Sequence, residues 1–121
     1  FDLGEPVLAE ALARPGVQQR NLLRCRGLLA AGFISYFRGR YDDARVLLSH
    51  AIAQHPNPGA YYLRGTIEML TGLPTDARFS AFGVIATIPR GPFMYRDSAY
   101  ERINTPAAVQ FRALVAELSR P

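Results

Sequence analysis

The sequence is short of the residue types that build reactive or cross-linked sites. A single cysteine, Cys25, leaves no intrachain disulfide to form. It lies within an apolar helical pattern, where a buried inert thiol is expected rather than a nucleophile. Only two histidines are present, His50 and His55, five residues apart on one helix and its end. That spacing makes no paired ligand face, and metal sites need three or four convergent ligands, so neither a metal nor a cofactor is expected. Ser49, Ser80 and Ser119 have no histidine and acid in triad register. The stretches "AAGF" and "LRGT" are mid-helix small residues and not a phosphate loop. Asp42 and Asp43 are accounted for by the positive end of a helix dipole. No catalytic residue is assigned, and the expectation is a protein that is not an enzyme.

Lysine is absent, so all fourteen basic residues are arginine. With the abundance of alanine this points to a GC-rich, bacterial genome. The net charge of +4 would allow an acidic partner or a nucleic acid. The arginines mostly alternate with acids or apolar residues, and only Arg20, Arg24 and Arg26 group without nearby carboxylates. A basic stripe is missing, so nucleic-acid binding is not expected. No apolar run approaches the roughly 18–20 residues that span a bilayer, and the densest, Leu28 to Phe37, reads as a buried helix. The 121 residues, 49 % of them apolar, suffice for one domain with its own core. The chain starts at Phe1 without a Met and shows no signal-peptide pattern, and an excised domain or a mature product is expected.

What is present is a repeat. At an offset of 33 residues Gly32 meets Gly65, Gly39 meets Gly72, Ala44 meets Ala77, Ile52 meets Ile85 and Pro56 meets Pro89. Each unit reads as two helices, over about 18–37 and 41–54, then 59–70 and 74–87. Gly39 and Gly72 supply the left-handed residue of the turn, and Pro56 and Pro89 close the units. Ala44, Ala51, Ala77 and Ala81 let the paired helices approach, while Leu48, Ile52, Val84 and Ile85 fill the remaining space.

This skeleton resembles the tetratricopeptide repeat family. Unit one carries Gly39-Arg40-Tyr41, Ala44, Leu48, Ala51-Ile52 and Pro56. Unit two keeps Gly72, Ala77, Ile85 and Pro89, with Pro74, Ala81 and Val84 departing from the family's tyrosine, bulky residue and alanine. The match covers about residues 26–90. The resemblance implies an all-α, antiparallel helical-hairpin solenoid with a C-terminal capping helix. A half-repeat would fill about 3–16, repeats about 26–57 and 58–90, and a cap about 91–121. The final helix, about 106–119, starts at Thr105-Pro106 and presents Val109, Phe111, Leu114, Val115 and Leu118. A short helix is read near Ser98–Ile103.

The family's period is 34, and here it is 33. Counting without a gap would place Arg64 and Glu68 inside, and burying two charges is costly. A turn one residue shorter makes Leu29, Gly32, Phe33 and Tyr36 interior, with Tyr62, Gly65, Thr66 and Met69 as counterparts. Arg64 and Glu68 then stand outside as an i,i+4 pair.

The resemblance also implies that first helices line a concave face. Its outward positions are Gly27, Ala30, Ile34 and Phe37, then Ala60, Leu63, Ile67 and Leu70, and none is charged. Ala30, Ile34, Phe37, Leu63, Ile67 and Leu70 are therefore the candidate partner-binding groove. The lysines and asparagines of the family's carboxylate clamp are absent there. Three occupants stay open: the chain's own last helix, a peptide or helix of a protein partner, or a homodimer exchanging terminal helices. The expected role is a non-catalytic scaffold or adaptor of a bacterial assembly. The alternative is a regulatory or sensor domain of a larger enzyme or transcription regulator.

Overall fold

A computed structural model describes residues 15–87 and 105–120, and these are helical with no strand. The helices are α1 (Pro15–Phe37), α2 (Tyr41–Gln54), α3 (Pro58–Leu70), α4 (Pro74–Thr87) and α5 (Pro106–Leu118). The half-repeat and the short helix near 98–103 fall outside the described residues, apart from the start of α1.

The breakers explain the boundaries. Gly39 and Gly72 both take φ of 76°, the left-handed conformation that a side chain would disfavour. Past each glycine the chain reaches back into the helix it has left. The Arg40 amide donates to Ser35 O at 2.8 Å, and the Leu73 amide donates to Glu68 O at 2.8 Å. These six-to-one bonds satisfy carbonyls that a helix end leaves open. At the starts, Asn57 caps α3 by accepting from the Ala60 amide at 2.8 Å, and Thr105 caps α5 by accepting from Ala108 at 3.3 Å. A proline follows each cap in the first helical turn.

α1 packs along α2, and α3 along α4, as two hairpins. The small residues expected at the contacts are all fully buried: Ala44 and Ala51 on α2, Ala77 and Ala81 on α4. Leu48 and Val84 are buried beside them, while Ile52 and Ile85 are half-buried. The interior set on the first helices also packs inward. Leu29, Gly32, Tyr36, Tyr62, Gly65 and Thr66 are buried, with Phe33 and Met69 at the margin.

α3 is the central element, touched by α2, α4 and α5 and more lightly by α1. That position overturns one expectation. Glu68 does not stand outside: it is 2 % exposed. Arg45 of α2 donates to it at 2.8 Å, and Ser80 of α4 donates its hydroxyl to the other carboxylate oxygen. Arg45 also pairs with Asp76 of α4 at 3.0 Å, and Arg64 donates to Ser80 at 3.0 Å. The cost of burying the carboxylate is offset by partners from two neighbouring helices, so one charged network joins the hairpins. The Glu68 hydrogen bond, above all, holds the Arg45 guanidinium above its ordinary pKa.

Candidate interaction surface

α1 is apolar on two faces. Its inner face carries Cys25, Leu29, Gly32 and Tyr36 against α2 and the core. Cys25 is fully buried, and burial above all pushes its thiol pKa up, which suits an inert packing residue. Asn57 donates to its Sγ at 3.3 Å and to His55 O at 2.8 Å, so one buried amide ties α1, the end of α2 and the cap of α3.

The other face of α1 is open. Ile34 is 52 % exposed and Phe37 is 71 % exposed, and Ala30 between the turns is exposed as well. Phe37 stacks on Phe33 with ring centroids 6.1 Å apart and meets Tyr36 edge-on at 5.3 Å. Those contacts brace the ring against its neighbours in the helix. Leu70, at the end of α3, is 45 % exposed.

The two remaining candidate positions differ. Leu63 and Ile67 have no exposed surface, so the groove is not continuous across both units as the sequence suggested. α3 has neighbours on its several sides, and α5 is one of them. Phe111 of α5 seats at Gly65, where a Cβ would lie 2.0 Å from the ring, and meets Tyr62 edge-on at 5.5 Å. Phe111 and Val115 of the expected stripe are buried, with Leu114 and Leu118 at its margin, while Val109 turns to solvent. Of the candidate positions, Ala30, Ile34 and Phe37 on α1 and Leu70 at the end of α3 are therefore the exposed ones.

Sequence reasoning missed three features. Leu23 on α1, outside the expected groove, is 58 % exposed. Phe79 and Phe82 form a smaller exposed pair on α4. The Arg45–Glu68–Ser80 network could be found only by knowing which helices meet. Among the described residues no group of three or more histidine, cysteine or carboxylate side chains gathers as a metal site. A shallow open depression on α2 is lined by Asp42, Arg45, Val46, Ser49 and His50. No described helix is long and apolar enough to cross a membrane.

By fold the described chain is an all-α protein made of packed helical hairpins. No protein-family model matches it, and no curated protein or solved structure shows significant similarity to it.

Proposed function

We propose that the chain is a non-catalytic protein–protein interaction scaffold or adaptor of a bacterial assembly, built as a tetratricopeptide-like hairpin solenoid. The hairpin reading is supported by two turns of the same geometry spaced 33 residues apart and by buried small residues at matching places in both units. The functional reading rests on one observation: Ala30, Ile34 and Phe37 form an exposed apolar strip on α1. Single exposed apolar residues are ordinary, but a row of them on one helix face marks a docking surface. A peptide or helix of a partner protein, laid along α1, would remove that surface from water.

Site-specific photo-crosslinking tests this reading in the native cell. A crosslinking residue at Phe37 should give a discrete adduct that Ile34→Glu abolishes. The same residue at exposed Arg78 on α4 should give none. Identical adduct patterns at the two positions, or no adduct at Phe37, would overturn the proposal.

A further inference from the structure

The outer face of α1 has a finer order than a patch. Its exposed positions Leu23, Gly27, Ala30, Ile34 and Phe37 follow one another at intervals of four, three, four and three residues. That is the 3.5-residue period of a seam between two helices wound side by side. At 100° per residue the five positions span an arc of about 80°, the narrow seam of a coiled coil rather than the broad face of a helix lying on lipid. Gly27 and Ala30 lie in its middle, and a Cβ added at Gly27 would meet nothing within 4 Å. There is room for another helix to come close, with Leu23, Ile34 and Phe37 as knobs on either side.

The residues bordering the seam specify the charge of that helix. Arg24 and Arg38 each follow a seam residue and Arg26 precedes Gly27, while Arg20, one heptad before Gly27, closes the N-terminal end of the seam itself with a charge. All four are exposed. α1 contains no aspartate or glutamate in its 23 residues. Flanking positions of this kind set partner choice in paired helices, because opposite charges meet across the seam. A second copy of α1 would bring only more arginine. We infer that the outer seam of α1 pairs with an amphipathic helix of a partner protein that carries aspartate or glutamate beside its own apolar seam. This rests on the proposed docking role and adds the partner's secondary structure and charge.

Two synthetic 21-residue heptad peptides, with leucine and alanine in the seam and either glutamate or lysine in all flanking positions, test the inference against the full chain. Fluorescence anisotropy should show the glutamate peptide binding at least about tenfold tighter than the lysine peptide, about 1.4 kcal/mol. The advantage should shrink as salt rises. Arg24→Glu with Arg38→Glu should reverse the preference while leaving the far-ultraviolet helical signal unchanged. Ile34→Glu should weaken both peptides. Equal binding of the two peptides, or no binding of either, overturns the acidic-helix inference. The docking role then still stands or falls on the adduct at Phe37. A chain that sediments as a dimer split by Ile34→Glu would assign the seam to a second copy. Binding to phosphatidylserine vesicles, lost in the double arginine variant and seen without peptide binding, would assign it to a membrane. Glutamate-peptide binding that arises only after residues 1–14 are removed would assign it to the chain's own N-terminal segment. Each of these three results overturns the inference.

Discussion

Gly65 shows how much a missing side chain can position. A Cβ at that point would lie 2.0 and 2.1 Å from two carbons of the Phe111 ring, well inside contact distance. The ring is fully buried and meets Tyr62 edge-on, and a close-packed interior yields little to an added atom. Gly65→Ala should therefore destabilise the chain by about 1–3 kcal/mol through overpacking. Combined with Phe111→Leu, the loss should be smaller than the sum of the two single changes, because they share one notch. Denaturant midpoints of the three variants check this, and strict additivity would refute the shared notch. Gly65 was legible in the sequence as a small residue repeated from Gly32. That it receives an aromatic 46 residues further on was not, since the pattern of one helix carries no record of its distant neighbour. Gly32 itself faces Leu48 of its own hairpin, 2.9 Å from a hypothetical Cβ.

At the scale of the helix, boundaries were legible wherever a breaker stood. The ranges 41–54 and 74–87 are those of α2 and α4, and α3 and α5 differ by a single residue at one end. Proline, glycine and the caps act on the backbone locally, so they can be read locally. Burial around a helix was less legible. The charge of Glu68 argues for a place on the surface, yet Arg45 and Ser80 arrive from other helices to satisfy it in the interior. Leu63 and Ile67 were assigned to an open groove but lie on the helix that has the most neighbours. α5 contributes to that enclosure, and removing residues 106–121 should lay bare part of α3. The truncated chain should unfold at a lower temperature and bind more of an apolar dye than the full chain. An unchanged midpoint with no added dye signal would mean that α5 does not cover the second hairpin.

Across the whole molecule the contacts run mainly between helices adjacent along the chain, with α5 reaching back to α3 as the notable exception. Stability in such an arrangement is a sum over neighbouring interfaces, and an element opens according to how many neighbours hold it. α3 has contacts on the most sides and the buried network with α2 and α4, so its amides should exchange with solvent most slowly. The N-terminal part of α1 should exchange faster. Hydrogen exchange read by mass spectrometry gives the order directly, and faster exchange in α3 than in α1 would contradict it. The hairpin plan was legible from the repeat at this scale. The inequality between its two first helices was not, because Ile34 and Ile67 occupy matching places in sequence and differ only in what surrounds them.

The arginines along the seam of α1 carry one more consequence, for the behaviour of many copies together. An uncovered row of leucine, isoleucine and phenylalanine is a surface on which identical chains could accumulate. Arg24, Arg26 and Arg38 place charge of one sign beside it, and the chain as a whole carries +4. Two copies brought face to face would crowd cations against each other before their apolar rows could meet. If the seam takes an acidic helix, the same border would also act as a gatekeeper, opposing self-association of concentrated protein while the seam stands empty.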